Sequence, residues 1–544
     1  MQKSKIIIIL ETAIYTITAI SIMSLISCGK HSNENSANTL RVDIGNEIST
    51  VDPAKTEVAP DFRVVNDLFA GLIDWDQKNQ PIPGMASTWD LSDESKTYTF
   101  HLRHDLKFSD GSPIYAKDFV YSWKRLVDPK TASSYGFLLN NVVNAHDIMN
   151  GTKPCDSLGI YAPDNYTLIV KLNHPMNEFL IYLTAPALDV VPKNAITLFG
   201  DSWTDPKHIV TSGAYVLKDH VMNGYLIAIK NPNFYAASQV SIKNIKYLPI
   251  TNTNVAIDTY RAGDLDTTWQ NVPVDKFSSI KNEFHDELHV TTWEKTIFYN
   301  FNMHLPKYAN NSKLRLALSM AIDREMLSNT VLKSGEKPLY SIITPTIEHG
   351  RYANNDYSWK NVPDTIRIKT AKQLYHEAGY SLNNPLVVKL TYKNNDLDKK
   401  TALAIAAMWQ STLGINVKLE NLEYKSLLQS LHRGDFDIAE GNWGADYNSV
   451  TTYTPLYRCN NGNNHSFYCN PKYDNTLDIA DATIDKERQT MLYNSAITMA
   501  NNDYATIPLY EPTHQRLVKP RVKGYEIEEN YLDNVQSKWF SLKN

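Results

Sequence analysis

Leu386-Val387-Val388-Lys389-Leu390, a helical stretch over 398–413 that stops at Gly414, Ile415-Asn416-Val417-Lys418-Leu419, a second helical stretch over 424–433 and an apolar run over 435–439 follow one another without a break. Strand, helix, strand, helix, strand in this order predicts a parallel sheet with right-handed crossovers. Ligands of such sheets sit beyond the carboxyl ends of the strands. There the chain reads Gly441-Asn442-Trp443-Gly444-Ala445-Asp446-Tyr447, a predicted loop. A carboxylate flanked by two large aromatics, on a segment with two glycines, suits a partner that brings a positive charge into a partly dry site. The α-amino group of a peptide fits that description. A core tryptophan beside a solvated turn aspartate would give the same seven letters, and it is the position at the strand's end that separates the two.

Working outward, 544 residues exceed one ordinary core and predict two large lobes or three domains. A formal net charge of -5 leaves no electrostatic footprint for nucleic acid. The 32 tyrosines and 10 tryptophans supply ring surface suited to a wide, adaptable pocket. At the N-terminus, Lys3 and Lys5 precede an apolar stretch, broken by Glu11, that ends at Leu25-Ile26-Ser27-Cys28. This resembles a bacterial lipoprotein signal, which implies cleavage before Cys28, acylation there and a membrane-tethered mature chain. A spanning helix is the rival, but residues 12–27 fall short of the ~20 needed to cross a bilayer. The Ser- and Asn-rich segment that follows reads as a flexible tether. Cys459 and Cys469 bracket an Asn-rich loop, and in an oxidising compartment their spacing allows a structural disulfide. A metal site at His465 is the weaker reading, and neither metal nor cofactor is expected.

Elsewhere, residues 39–44 alternate as a strand, and Val65, Leu68, Phe69 and Leu72 recur at helical spacing with Gly71 near the end. Tyr98, Phe100 and Leu102 mark another strand, and Phe119, Val120, Trp123 and Val127 a helix that stops at Asp128-Pro129. Asn223-Gly224 between two apolar runs predicts a hairpin. Arg261-Ala262-Gly263-Asp264-Leu265-Asp266 and His432-Arg433-Gly434-Asp435-Phe436-Asp437 share one pattern. In each, a glycine is expected to end a helix and the apolar residue between aspartates to start a strand.

Taken together, Gly71-Leu72, Pro83-Gly84-Met85-Ala86, Trp89, Tyr98-Thr99-Phe100-His101-Leu102-Arg103, Phe108-Ser109-Asp110-Gly111-Ser112-Pro113, Asp118-Phe119-Val120-Tyr121-Ser122-Trp123, Thr131-Ala132-Ser133-Ser134-Tyr135, Thr211-Ser212-Gly213-Ala214-Tyr215, Asp323-Arg324 and Trp443-Gly444-Ala445-Asp446-Tyr447 resemble the extracellular solute-binding proteins, family 5, of peptide ABC transporters. The oligopeptide-binding type is the nearest, over essentially all of residues 40–540. The resemblance implies an α/β fold with mixed sheets: a two-lobe periplasmic-binding-protein-like clamp of type II, enlarged by an additional domain. The limits it suggests are a signal over 1–27, a tether over 28–38, one lobe from 39–70, 194–292 and 514–544, an extra domain over 71–193 and a second lobe over 293–513.

It also implies a function and a site: capture of short peptides, by main chain and α-amino group, for delivery to an ABC permease and its ATPase. The expected protein is an extracytoplasmic, lipid-anchored monomer with no catalytic activity. Carried over, Asp446 matches the aspartate that pairs with the peptide α-ammonium, and Tyr135 a tyrosine beside the first peptide residues. Trp443, with Asn442 and Gly444, falls on the cleft strand, while Glu57 and Tyr424 fall on cleft positions. Leu431 and Glu440 stand where relatives carry arginines near the peptide's far end. Gly444 replaces a cysteine of some relatives, with no partner cysteine near Lys295. A relative adapted to another amine-bearing ligand, such as a murein peptide, is the alternative. A serine acyl hydrolase built on Ser278-Ser279-Ile280-Lys281 is the remaining rival, and it lacks the companion motifs of that class.

Overall fold

The computed structural model describes residues 38–525 and 530–543, so the expected signal segment, Cys28 and the tether up to residue 37 lie outside the described residues. Three sheets organise the rest. The first runs in the order Thr39–Asp43, Asn244–Leu248, Tyr225–Lys230, Tyr215–Val221. Its first pair is parallel and the others antiparallel. Asn223, at φ 56°, makes the left-handed turn of the last hairpin, a conformation asparagine tolerates. Leu40, Val64, Leu226, Ile245 and Tyr247 form its core.

The second sheet is antiparallel, in the order Ala86–Ser92, Thr97–Leu102, Thr167–Lys171, Ile160–Tyr161, with the strand that comes last in sequence inserted between its two predecessors. The helix Ala116–Val127 buries Phe119, Trp123 and Leu126 among its neighbours and stops at Asp128, the residue that Pro129 pushes out of helical geometry. The earlier helix, Ala59–Leu68, is shorter than its apolar spacing predicts. Phe69 is already extended, at φ -124° and ψ 163°, and caps the helix by donating to the Val65 carbonyl.

The third sheet has six strands, in the order Lys337–Pro338, Thr506–Glu511, Lys295–Phe301, Ile438–Gly444, Val387–Lys393, Asn416–Leu422. Val387–Lys393 pairs in parallel with both of its neighbours, as the alternation of strands and helices predicts. Lys295–Phe301 and Thr506–Glu511 then extend the sheet with antiparallel pairs, so it is mixed. Phe301, Leu318, Ile405, Trp409 and Ile507 fill its core.

Two further expectations from sequence differ from the structure. The strand after Gly434 runs from Ile438 to Gly444, so Gly441–Gly444 is strand and the loop begins at Ala445. Pairing explains the extension. All seven residues from Ile438 to Gly444 are in register with Phe301 to Lys295, and a ladder of backbone hydrogen bonds outweighs the low strand propensity of two glycines. The first of these glycines is required by space, since a Cβ on Gly441 would lie 2.5 Å from the Phe298 ring and would also overlap the Asn300 amide. The second difference concerns the recurring pattern. Gly263 and Gly434 both cap helices at positive φ, 85° and 69°, but only the second copy leads into a strand. After the first, Thr267 makes only isolated bridges, to Val42 and to Val518, and the Asp266 carboxylate is taken up by Arg41 and Arg521.

The bodies carrying the first and third sheets are joined by a two-stranded ribbon, Leu288–Thr292 against Thr513–Leu517, paired residue for residue from Leu288↔Leu517 to Thr292↔Thr513. Asn271 fastens one edge of it: its amide donates to the Thr513 carbonyl (2.7 Å) and its oxygen accepts from the Gln515 N–H (2.9 Å). Among the described residues no helix is long and apolar enough to cross a membrane.

Because Gly441 sits where the cleft strand presses on Phe298, Gly441→Ala should cost about 1–3 kcal/mol of stability. The check is a lower denaturant midpoint at unchanged slope.

Candidate functional site

A cleft opens between the three bodies as two connected cavities of about 550 and 850 Å³. Both are lined by Tyr135, Phe137, Leu138, Tyr182, Asp446 and Tyr447, so these residues mark where the two arms meet.

Asp446 reaches this junction because the cleft strand ends two residues before it and the loop that follows is tied down at several points. The Ala445 N–H donates to the Glu294 carbonyl (2.8 Å), and the Asp446 N–H to the Thr452 hydroxyl (3.2 Å). Behind the loop, the Glu348 carboxylate accepts from the Val450 N–H (2.9 Å) and the Ser449 hydroxyl (3.2 Å), while its own N–H donates to Asn448 (2.8 Å). Glu348 and His349 adopt left-handed backbone, φ 48° and 55°, a local cost tolerated where the surroundings over-determine the geometry.

Asp446 is exposed to solvent, and the cleft is where it opens: it lines both cavities, with many protein atoms around it but none of them a cation. Among the described residues it has no ion-pair partner. Burial without a compensating cation pushes its carboxyl from 3.8 up to about 6. Tyr135 stands beside it. Burial first, then the charges of Asp446 and Glu57, push its hydroxyl up to about 12, so it stays a neutral donor. Phe62 meets the Tyr135 ring edge-on at 5.5 Å and fixes its plane. Across the cleft, the Tyr182 and Tyr447 hydroxyls share a 2.9 Å hydrogen bond that links the second body to the third.

Of the residues singled out from sequence, Asp446, Tyr135, Trp443 and Glu57 line the cavity. Trp443 donates through its indole N–H to Thr452 (3.4 Å), the same hydroxyl that receives the Asp446 backbone. Asn442 and Gly444 lie on the cleft strand opposite Ile297 and Lys295, outside the cavity lining. Tyr424 is also outside it, half exposed at the start of the helix Tyr424–Arg433, with the Lys393 ammonium 5.6 Å above its ring. Leu431 is buried in a small apolar cluster with Leu427 and Phe436. Glu440 is buried and accepts from the Lys393 N–H (3.0 Å); burial first, then the neighbouring Asp398 carboxylate, push its pKa upward.

Sequence reasoning missed the wall opposite. Trp269 and Trp293 line it, with His514 packed 4.1 Å from the Trp293 ring and Arg516 4.8 Å over Trp269. Asp533 binds both Arg516 and His514 (3.2 Å to the latter). These residues come from the ribbon and its approaches and from the C-terminal segment, and no local spacing joins them. Cys459 and Cys469 are bonded, S–S 2.09 Å, and their loop supplies Asn461 and Asn463 to the larger cavity. Ser278 and Lys281 lie exposed on the helix Phe277–Glu283 and line neither cavity.

A carboxyl whose pKa is raised by folding opposes stability once pH exceeds its unfolded value. Asp446→Asn should therefore raise the unfolding temperature of the ligand-free protein at pH 7. The gain should fade below about pH 4, where the unfolded-state carboxyl is protonated too. Thermal melts at the two pH values test this.

Comparison with known proteins follows the same lines. Residues 80–465 match the description "Bacterial extracellular solute-binding proteins, family 5 Middle". The periplasmic oligopeptide-binding protein OppA of Salmonella typhimurium is 38% identical over 506 residues, covering 92% of each chain. The solved structure of Haemophilus influenzae OppA in complex with RPPGFSPFR superposes with a TM-score of 0.77 at 34% identity, over 93% of this chain and 99% of that one. The unliganded open form of the murein tripeptide-binding protein MppA superposes with a TM-score of 0.82 at 32% identity, over 93% and 98%. By sequence, and by an α/β architecture of several mixed sheets shared with these structures, the chain belongs to the bacterial extracellular solute-binding proteins, family 5.

Proposed function

We propose that this protein is the substrate-binding component of a peptide ABC importer, holding short peptides by their main chain and α-ammonium and passing them to a membrane permease. The observation that carries this reading is the Asp446 carboxylate: it has no cation partner among the described residues, its pKa is raised to about 6, and it stands where the two arms of the cleft meet. A peptide α-ammonium supplies the missing charge. The backbone and the terminal ammonium are common to all peptides, so a site that grips them accepts many sequences. Water fills whatever space a given side chain leaves, at little cost per molecule. Tyr135 and Glu57, beside Asp446, complete the N-terminal end of the site, and Trp443 shapes the larger arm.

The names of the relatives support the same reading, since oligopeptide-binding proteins lead the similar chains. A murein peptide is the second reading, favoured by the murein tripeptide-binding relative, and it too presents an amine to Asp446. In this proposal Cys28 carries the lipid that tethers the chain outside the cytoplasm, residues 39–70, 194–292 and 514–544 form one jaw, 293–513 the other and 71–193 the extra domain. The protein binds without catalysis: a peptide incubated with it should be recovered intact by mass spectrometry.

Calorimetry against a peptide that the protein binds tests the central contact. Asp446→Ala should weaken binding by about 10²-fold or more, because removing one member of a desolvated pair strands the other. N-acetylation of the peptide should have a comparable effect, and equal affinities for free and acetylated peptides would overturn the assignment. Forming the pair requires the ionised carboxylate and the protonated α-amino group, so affinity should be level only between about pH 6 and about pH 7.5, falling about tenfold per unit below that window with a proton released on binding, and falling again above it as the free α-ammonium deprotonates.

A further inference from the structure

The larger arm of the cleft is short of cations. The carboxylates of Glu57, Glu178, Asp446 and Asp481 line it, against the Arg458 guanidinium, with His174 the remaining basic side chain. Arg458 is already engaged: it binds Asp481 at 2.8 Å and Asp478, outside the lining, at 2.7 Å. Among the described residues Glu57, Glu178 and Asp446 have no ion pair. Unmatched carboxylates that share one concave arm of about 850 Å³ focus a negative potential into it, and the α-ammonium of a peptide answers only one of them. Of the other two, Glu57 is exposed, whereas Glu178 is half-buried and its segment is held in place. The Asn177 amide beside it donates to Gln489 of the third body (3.1 Å). One helical turn on, the Tyr182 N–H donates to the Glu178 carbonyl, and the Tyr182 hydroxyl meets that of Tyr447, the neighbour of Asp446, at 2.9 Å. The Glu178 carboxylate itself has no hydrogen bond from another side chain among the described residues. Glu348 and Asp481 repel it and Lys486 attracts it without forming an ion pair; burial first, then that repulsion, pushes its carboxyl up to about 7.

We infer that Glu178 is a specificity-determining residue for a second cationic group of the ligand, so that the cleft favours peptides with a lysine or arginine side chain near the free amino terminus. Asp446 takes the α-ammonium and Glu178 the side-chain ammonium or guanidinium. Leu138, Pro175 and Met176 line the same arm and offer apolar surface to the methylene stem that carries the charge. Tyr182 sets the spacing of the two anions, since it shares a turn with Glu178 and a hydrogen bond with the residue next to Asp446. A fixed spacing turns a general negative potential into a choice of side-chain position. Selection also acts against neutral peptides, because closing the cleft over one of them leaves Glu178 desolvated without a cation. This inference rests on the peptide-binding reading and adds the charge of the side chain that the larger arm accepts.

The test is a set of calorimetric titrations on the full-length protein, comparing wild type, Glu178→Gln, Glu178→Ala and Glu57→Gln. The probes are tetra-alanine peptides in which lysine, or Nε-acetyl-lysine, replaces the alanine at each position in turn, and all of them keep a free α-amino group. Wild type should prefer lysine to acetyl-lysine at one of the first three positions by roughly tenfold or more, the size of a charge-assisted contact. In Glu178→Gln that preference should shrink to within about threefold while affinity for the acetyl-lysine probes is retained, and Glu178→Ala, which leaves no polar group behind, should do the same. Retained affinity for the acetylated probes also shows that the variants are folded. Equal affinities of wild type for the two series would overturn the inference while leaving peptide binding intact. So would a lysine preference that survives in both Glu178 variants, one that is lost in Glu57→Gln alone, or one confined to the last position. Failure of wild type to bind any of these peptides or a longer peptide would instead sink the peptide reading on which it rests.

Discussion

An aspartate that has no cation partner among the described residues is the constraint around which this cleft is built. Three buried carboxylates are compensated by cations: Asp266 is clasped by Arg41 and Arg521, Asp67 by Arg63 and two hydroxyls, Asp533 by Arg516. Glu294 and Glu511, buried without an ion pair among the described residues, are pushed upward by burial as Asp446 is, but line neither cavity. Among the described residues the Asp446 carboxylate has no ion pair, and the tie that holds the residue is its backbone N–H on the Thr452 hydroxyl. Leaving a carboxylate half-desolvated is unfavourable, and the opposition is stored in a raised pKa rather than released through an internal salt bridge. Binding then relieves what folding left unsatisfied.

Such a group is useful only if it cannot drift toward a partner. The long cleft strand fixes one side of its loop, and the Glu348 carboxylate and the Thr452 hydroxyl fix the other. The left-handed backbone at Glu348 and His349 is part of the same arrangement, since it aims the Glu348 carboxylate at the 449–450 amide and hydroxyl. Precision at one residue is thereby spread over several segments of one body, while the second body supplies Tyr135 and Tyr182.

What was legible in the sequence depended on how local its cause was. The parallel trio around Val387–Lys393 was legible because apolar periodicity and helix-ending glycines are short-range signals. The extra antiparallel strands were not, since Lys295–Phe301 and Thr506–Glu511 find the sheet from more than 60 residues away on either side of the trio. The same partner explains why Gly441–Gly444 looked like loop and is strand. Asp446 and Tyr135 could be named from a family resemblance, which carries tertiary information that periodicity lacks. The wall formed by Trp269, Trp293, His514, Arg516 and Asp533 had no such pointer, being assembled from segments that converge only after folding.

The ribbon that joins the two larger bodies has a mechanical meaning. Two strands locked by five consecutive pairs twist and flex readily, yet they do not slide past one another without losing the whole ladder. Rotation of one body against the other would leave this ladder intact, whereas translation would break it. On the peptide-binding reading, cargo of differing size would meet a mouth that shuts along a single arc, and accommodation would fall to the arms of the cavity rather than to the gape. A transporter docking on the shut form would then recognise one shape whatever lies inside.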